Sequence, residues 1–396
     1  MKFSASISEF RNILNKTLPA MPRKSTLPIL EHLSFSLEGN ELTIIATDQE
    51  ITIKTKMTVT GGEDGSILVP GKRLSEIMRA FNDIGTFEFE SDLTNFETKL
   101  STVSGKYLMK GLDPNDYIDL PELFESEKPF VEIGESKSEK EQGKAPSAFF
   151  TNTEMSLLCE KTYFAVSKDE YKPAMTGVLF QFSGDVVNSV ATDSFRLAKI
   201  TIKKDNTVYP NDFTVIVPLR AVELLRKSEN DVLMSFIESF KKVTHARFDF
   251  DDTVMITRII DEKFPPYESV IPKESKFQAI VNLNDFMQAI KRVAICSNQT
   301  SHQIRLNFDS KQLILTGEDE ETGSYGKELI NCDFNGEPVT IGFNFKYLEE
   351  ALVTFNSEVT NDMVVLSFTE PNRPITIRAD NETSTVFMLI MPVRLN

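Results

Sequence analysis

Residues 42–48 read LTIIATD, and related segments return twice further along the chain. Residues 187–193 read VNSVATD and residues 313–319 read LILTGED, so a β-rich run that ends in aspartate occurs three times. After each copy comes a strand that leads into a helix, within residues 68–81, 216–227 and 340–355. Self-similarity of this kind indicates repeated domains. We therefore predict three copies of one domain, an arrangement more typical of a ring or scaffold than of an enzyme with one site.

The repeat also sets the predicted domain boundaries. The 396 residues fit three domains, which we place at 1–125, 126–275 and 276–396. Apolar residues at helical spacing predict two helices per domain, and the six segments are 8–18, 72–81, 153–164, 219–227, 284–296 and 345–355. Thr153 and Asn284 are the expected N-caps of two of them. Strand patterns dominate elsewhere, so the predicted class is α+β, with two helices per domain packed on antiparallel sheets.

The segment 134–147, GESKSEKEQGKAPS, lacks large apolar side chains and is rich in charge, Ser and Gly. It buries too little surface to offset the entropy of ordering it. We therefore predict a flexible surface loop, inserted into the central domain.

Cysteine usage and hydropathy bear on the compartment. Cys159, Cys296 and Cys332 stand at unrelated positions, which indicates neither a disulfide framework nor a metal site and favours a reducing compartment. The beginning of the chain has no apolar segment typical of a secretory signal, and no apolar run is long enough to cross a bilayer. The expected location is cytoplasmic, without membrane contact.

The charge is unevenly distributed. The chain has a net charge of −16, yet the six predicted helices together are positive. Their cations include Lys72, Arg73, Arg79, Arg220, Lys291 and Arg292, at related places in the three copies. If the helices face a common axis, these side chains would contact phosphates without reading sequence. The alternative is an ordinary solvated face of amphipathic helices.

The search for a catalytic site is negative. The sequence lacks the glycine-rich nucleotide-binding motifs, the serine nucleophile motif and the paired-histidine zinc motif. Asp48 and Asp193 each follow Ala-Thr and could be imagined as an acid/base pair. As copies of one repeat position they are expected in different domains, each stabilising a local turn. No cofactor is predicted.

The segment 387–395, FMLIMPVRL, is unusually apolar and has two methionines. It is either a core strand or one wall of an apolar pocket, for which the adaptable methionine side chain is suited.

In several ordered segments the chain resembles the bacterial sliding-clamp family, the beta subunits of DNA polymerase III. The segments are Lys2-Phe3, residues 26–30 (TLPIL), 191–193 (ATD) with 196–198 (RLA), Phe264-Pro265 with Tyr267, 341–344 (IGFN), and Met391-Pro392 with Arg394-Leu395. The resemblance covers the whole chain apart from residues 134–147.

This resemblance implies a non-catalytic processivity factor for DNA replication. Two protomers would join head to tail in a ring of six domains, with helices inside and sheets outside. The ring would encircle duplex DNA and slide along it, tethering the replicative polymerase. Implied partners are duplex DNA, a second copy of the chain, the catalytic subunit of DNA polymerase III, the clamp loader, and other polymerases and repair proteins with clamp-binding peptides.

The resemblance also implies three sets of site residues. DNA contacts would fall on Arg23, Lys24, Lys72, Arg73 and Arg220. A hydrophobic pocket for Gln- and Leu/Phe-containing peptides would be formed by Met175, Thr192, Phe195, Arg196, Leu197, Pro265, Val270, Lys346, Leu389, Met391, Val393 and Arg394. The subunit interface would comprise Lys99, Lys106, Tyr107, Met109, Ile295, Cys296, Glu318, Asp319, Glu320 and Glu321. Phe195 and Lys346 depart from the histidine and small polar residue common in the family, which bears on peptide preference.

Two other functions stay open at the level of sequence. An enzyme with an unrecognised site would bind a cofactor or lose turnover when one His or Asp is replaced. A monomeric β-rich scaffold would elute at the monomer mass and have no DNA role.

Overall fold

The structure is a computed structural model that describes the chain except for residues 23, 83, 121–146, 205–208, 240–241, 358–361, 382–384 and 396. It packs into two compact units, one of residues 1–153 and 228–259 and the other of residues 154–227 and 260–396. Arg23 and nearly all of the predicted loop 134–147 lie outside the described residues.

Six α-helices occur in the described chain, close to the six predicted segments. They are α1 (Ile7–Thr17), α2 (Gly71–Ala80), α3 (Asn152–Glu160), α4 (Leu219–Leu225), α5 (Leu283–Ala294) and α6 (Phe345–Val353). Two predicted N-caps are wrong. Helix α5 is capped by Asn282, whose side chain accepts from the Asp285 N–H at 3.0 Å, because the preceding strand ends there. Thr153 lies inside α3, where the Asn152 N–H instead donates to Asp231 at 2.8 Å.

The first unit contains two antiparallel sheets. One has the order β5-β1-β7-β8-β9, and its strands are β1 (Lys2–Ser6), β5 (Thr60–Glu63), β7 (Thr86–Asp92), β8 (Glu97–Ser101) and β9 (Lys106–Lys110). The other has the order β10-β15-β16-β17-β4-β3-β2-β6, and its strands are β2 (His32–Glu38), β3 (Glu41–Thr47), β4 (Ile51–Thr58), β6 (Gly65–Pro70), β10 (Ala148–Phe150), β15 (Val232–Ser239), β16 (Lys242–Asp249) and β17 (Thr253–Arg258).

The second unit is built on one antiparallel sheet of twelve strands in the order β14-β11-β12-β13-β25-β24-β23-β18-β21-β20-β19-β22. The strands are β11 (Gly177–Gly184), β12 (Val186–Thr192), β13 (Arg196–Lys203), β14 (Tyr209–Pro218), β18 (Phe277–Asn282), β19 (Gln303–Asp309), β20 (Gln312–Asp319), β21 (Ser324–Phe334), β22 (Val339–Asn344), β23 (Met363–Phe368), β24 (Ile375–Ala379) and β25 (Val386–Ile390).

Phenylalanine supplies much of the core in both units. In the first unit, the rings of Phe3 and Phe89 stack at 4.7 Å, and Phe10 meets Phe87 edge-on at 4.9 Å. In the second unit, one such cluster comprises Phe277, Phe308, Phe334 and Phe368. Phe10 lies on α1, and strands with alternating buried residues place the other rings on the sheet face that the helices cover.

The two units do not coincide with the three repeats, because sheets continue from one repeat to the next. Strand β17 pairs with β4, and β13 pairs with β25, each in antiparallel register. Residues 228–259 therefore pack with the beginning of the chain, although the repeat assigns them to the central domain. The boundaries at 125 and 275 remain a prediction.

Candidate functional site

An apolar cluster in the second unit contains several residues of the predicted peptide pocket. Its buried members are Leu179, Val190, Leu197, Ile216, Tyr267 and Leu389. Packed against them are the partly buried Ala174, Ile260, Phe264, Ile271, Phe387 and Met391. Leu197 lies opposite Leu389 across β13 and β25. The cluster thus has a buried base and a partly exposed apolar margin, a surface suited to apolar side chains of a ligand.

Three predicted pocket residues meet where β13 begins. The Met391 N–H donates to the Phe195 carbonyl at 2.8 Å. The Met175 sulfur lies 3.6 Å from the Ser194 hydroxyl, next to Phe195 in the chain. The Phe195 side chain is 58% exposed and lies nearly parallel to Tyr347, with ring centroids 6.4 Å apart. Val270, at 51% exposure, offers a second large apolar side chain close in sequence to the buried Tyr267.

Arg196 is held by several internal partners. Its guanidinium donates to Asp193 at 3.1 Å, to the Phe164 carbonyl at 2.6 Å, and to Glu350. It also lies 4.6 Å from the centroid of the Tyr347 ring. A guanidinium with these partners fixes the position of β13 relative to α6. Its contribution to a pocket is therefore positional.

The turn that contains Asp193 has the same hydrogen bonds as the turn that contains Asp48. Asp193 Oδ1 accepts from the N–H groups of the second and third residues after it, at 2.9 and 3.0 Å. Asp48 Oδ1 does so at 3.0 and 2.8 Å. Ser194 and Gln49 both have φ of 80°. The predicted role of these aspartates as turn residues is confirmed, and Asp193 positions Phe195.

The remaining predicted pocket residues are distributed around the cluster. Thr192 is buried and donates to the Arg196 carbonyl at 2.6 Å, and Pro265 is partly buried. Lys346 is exposed in the first turn of α6, where its N–H donates to the capping side chain of Asn344 at 3.0 Å. The Val393 N–H donates to the Gly342 carbonyl at 2.9 Å, while Arg394 is exposed.

Tyr267 is a pocket-base residue that the sequence-based site did not include. Its hydroxyl donates to Gln181 at 2.7 Å. Burial, followed by the charge of Glu268, raises the pKa of Tyr267 to about 12. The sequence signal that could have identified Tyr267 is its place in the motif Phe264-Pro265 with Tyr267. Tyr347, which lies against Phe195, had no comparable signal in the sequence.

The exposed face of α2 is the clearest cationic surface among the predicted DNA contacts. Lys72, Arg73 and Arg79 are exposed, whereas Leu74 and Met78 are buried. None of the three cations makes a hydrogen bond or ion pair with another residue in the described part of the chain. Lys24 is exposed as well. These side chains are available to phosphates.

Other cations of the predicted helices are engaged within the protein. Arg292 forms a bidentate ion pair with Glu328 at 2.8 and 2.9 Å. Arg226 lies 4.2 Å from the centroid of Tyr163. Arg220 is partly buried, and this burial lowers its pKa. Lys291 is exposed, and its charge opposes the rise that burial causes in the pKa of Glu349. The helix charge counted from sequence therefore overstates the cationic surface.

Some of the predicted interface residues lie on strand β9, and the others lie on β8, after α5, and at the end of β20 and the turn after it. Strand β9 ends its sheet, and Leu108 on it is 61% exposed. Tyr107 is exposed and packs edge-on to Phe81 at 5.3 Å, whereas Met109 is buried inside its own sheet. Ile295 is 78% exposed after α5, and Cys296 is partly buried. Leu108 and the exposed Leu329 on β21 are apolar candidates that sequence reasoning missed.

The charged residues of the predicted interface differ in their local partners. Lys99 pairs with Glu90 at 3.0 Å, which lowers the pKa of that carboxyl. Glu318 pairs with Arg305 at 2.6 Å. Hydrogen bonds from Asn298 and Thr322 lower the pKa of Asp319. Lys106, Glu320 and Glu321 are exposed.

Within the described residues, no group of three or more His, Cys, Asp or Glu side chains has a geometry that could hold a metal ion. No helix in the same part of the chain is long and apolar enough to cross a membrane.

Comparison with known families matches consecutive parts of the chain to three models. The DNA polymerase III beta subunit N-terminal domain matches residues 1–121, the central domain 150–266, and the C-terminal domain 268–394. The predicted fold of three similar α+β domains is thereby confirmed.

Similar proteins span the full length. The beta sliding clamp of Vibrio cholerae is 27% identical, and that of Bacillus subtilis 26%, each with complete coverage of both chains. Among solved structures, the DNA polymerase III subunit beta from Pseudomonas aeruginosa has a TM-score of 0.86 at 21% identity. The DNA polymerase sliding clamp from Bacillus subtilis has a TM-score of 0.86 at 24% identity. Both structures are covered completely and cover all of this chain.

Proposed function

Because this chain belongs to the DNA polymerase III beta subunit family and is therefore a sliding clamp, we propose that two copies close head to tail around duplex DNA. The ring slides without reading sequence and tethers polymerases through the apolar pocket of the second unit. One observation supports ring closure. A pairing between strands of successive repeats occurs twice inside the chain, and the two strands that would make a third such pairing each have an edge without a partner in the described residues.

The recurring pairing joins each repeat to the next. Strand β17 of the central repeat pairs with β4 of the first, and β25 of the third pairs with β13 of the central one. By the order of elements, β9 is the first repeat's copy of β17 and β25. Likewise, β21 is the third repeat's copy of β4 and β13. In the described chain, β9 has a neighbour on one side only, and residues 324–331 of β21 pair only with β20.

These edges are complementary in chemistry as well as in position. Strand β9 carries exposed Lys106 and Leu108, and near the β21 edge are exposed Ile295, Glu320 and Glu321. Pairing β9 of one protomer with β21 of the other would cover both apolar surfaces and oppose unlike charges. Of the predicted interface residues, Lys106 and Tyr107 lie on β9, and buried Met109 would support that strand from within.

DNA binding in this proposal rests mainly on α2. Lys72, Arg73 and Arg79 supply exposed cations, with Lys24 and Lys291 as further contacts. Arg220 and Arg292 contribute less, because Arg220 is partly buried and Arg292 is paired. Sequence-independent phosphate contacts of this kind allow sliding, and closure keeps the clamp on the duplex.

The apolar cluster is the proposed docking site for short peptides of the DNA polymerase III catalytic subunit, the clamp loader, and other polymerases and repair proteins. Leu197 and Leu389 form its base, and Met175, Phe195 and Met391 form its margin. Exposed Phe195 enlarges the apolar margin, and exposed Lys346 adds a cation near it. In this proposal, the clamp acts in the cytoplasm and has no catalytic site of its own.

Retention on closed and linear DNA tests the ring. The clamp is loaded onto a nicked circular plasmid with a clamp loader and ATP, and half of the sample is then cut once. We expect the clamp to stay on the circle and to run off the linear form. Equal retention on both forms would reject encirclement. A monomer mass at all protein concentrations would favour the scaffold alternative, and turnover lost on replacing one His or Asp would favour the enzyme.

A further inference from the structure

Lys16 and Lys161 stand at the same position of two successive repeats. Each precedes a threonine, and the interval between the two Lys-Thr pairs equals that between Asp48 and Asp193. The Thr17 hydroxyl donates to the carbonyl four residues before it at 2.9 Å, and the Thr162 hydroxyl does so at 2.7 Å. The two helix ends are therefore built alike.

Both lysines reach into the following domain. Lys16 Nζ lies 2.8 and 3.1 Å from the carboxylate oxygens of Asp252, in the turn between β16 and β17. Lys161 is 6% exposed, and its Nζ donates to the carbonyl of Thr354 directly after α6. Lys16 belongs to the N-terminal match and Asp252 to the central one, while Thr354 belongs to the C-terminal match.

Each lysine accompanies one of the two strand pairings that join successive domains. At the first junction, the Lys56 N–H on β4 donates to the Asp252 carbonyl at 2.9 Å, and Thr17 bonds to Thr55 at 2.6 Å. At the second, Arg196 of β13 pairs with Glu350 of α6. Strand pairing fixes the register of a junction, and a charge-assisted hydrogen bond between the two domains outside that pairing restrains rotation about it.

The third copy of this position behaves differently. Counting from the first residue of each helix, Arg292 in α5 corresponds to Lys16 in α1. Arg292 pairs with Glu328 of its own domain. The cross-domain contact is therefore found at both junctions within the chain.

We propose that Lys16 and Lys161, the junction lysines, are positioning residues that set the rotation between successive domains and thereby the closure of the dimer. This inference rests on the proposed ring. Head-to-tail contacts close only if the rotation accumulated along the protomer is correct. A protomer whose junctions rotate spends less time in the closing geometry, which weakens the apparent dimer affinity in proportion.

The test measures the dimer dissociation constant of the full chain by sedimentation. Lys16→Met and Lys161→Met keep an unbranched side chain but remove the donor. We expect each to weaken the dimer by about fivefold or more, although neither lies on the predicted subunit edges. Lys203→Met is the matched control, because Lys203 pairs with Asp185 at 3.2 Å within one domain. That control is expected to match the wild type.

Two further variants separate positioning from general damage. Lys16→Arg keeps the ion pair and is expected to restore wild-type affinity, whereas Asp252→Asn is expected to reproduce Lys16→Met. If Lys161→Met does not fold, the Lys16 and Asp252 variants decide the proposal. Folded Lys16→Met and Asp252→Asn proteins with the wild-type dissociation constant would overturn it. A wild-type protein that never dimerises would instead overturn the proposed ring.

Discussion

Removing Arg73 from α2 is expected to weaken DNA binding, whereas removing the ion pair between Arg292 of α5 and Glu328 is not. Arg73→Ala deletes an exposed cation that makes no ion pair or hydrogen bond elsewhere in the described residues. Arg292→Ala with Glu328→Ala deletes an arginine that is already neutralised by a carboxylate at 2.8 and 2.9 Å. Both arginines were predicted from sequence to contact DNA, so the pair of variants tests what the structure adds.

The expected size follows from counterion release. Each cation that neutralises a phosphate contributes about 0.9 to the slope of log affinity against log salt, so a dimer that loses Arg73 twice loses about 1.8. Between 50 and 200 mM salt, the wild type would then lose roughly twelvefold more affinity than the variant. The slope of the double variant is expected to equal that of the wild type.

The assay is fluorescence anisotropy with a short labelled duplex across that salt range, on samples whose dimer mass has been verified. An unchanged slope for Arg73→Ala would refute the assignment of α2 to the DNA-facing surface. A fall in the slope of the double variant would show that Arg292 leaves Glu328 and contacts phosphate. The inference that the ion pair keeps Arg292 from DNA would then be wrong.

Two predictions concern the apolar cluster. Met391→Ala is expected to weaken binding of a labelled Gln- and Leu/Phe-containing peptide by about fivefold or more, because it removes part of the apolar margin. Met57→Ala serves as the control, because Met57 lies in the first unit and is partly buried like Met391. Unchanged peptide affinity would place the pocket elsewhere. The second prediction is that the free energy of unfolding falls between pH 10 and about 12. The raised pKa of Tyr267 means that the folded state favours the neutral phenol, so deprotonation in this range favours unfolding. Tyr267→Phe is expected to reduce this loss of stability when urea unfolding at pH 9 is compared with that at pH 11. An identical loss in both proteins would contradict its assignment to the Tyr267 phenol.

Local pattern was enough to predict the helices, because each depends on apolar spacing within one segment. The segment 8–18 became Ile7–Thr17, and 345–355 became Phe345–Val353. The cap of α5 was misplaced by two residues, since Asn282 and Asn284 are equally good capping residues by type. Only the end of β18 distinguishes them.

Charge partners could not be predicted in the same way. Arg292 was predicted to be a surface cation, yet it is paired with Glu328, and Lys161 at the end of α3 is buried against the Thr354 carbonyl. Their partners lie far away in sequence, and composition does not reveal which distant carbonyl or carboxylate a cation meets. The apolar pocket could not be predicted from local pattern for the same reason, because Leu197 and Leu389 meet only after β13 pairs with β25.

In the described chain, the strand pairing that joins successive repeats lacks a partner at β9 and along residues 324–331 of β21, and this constrains what the proposed protomer can assemble into. Two of the three repeat junctions are made within the chain, by β4 with β17 and by β13 with β25. In the proposed ring, the edges of β9 and β21 make the third junction with a second copy. A head-to-tail contact of this kind either closes into a ring or grows into an open filament, and the accumulated rotation decides between them. Because the two internal junctions contribute to that rotation, the proposal predicts that the contacts of Lys16 and Lys161 influence closure although both lie away from the subunit edge.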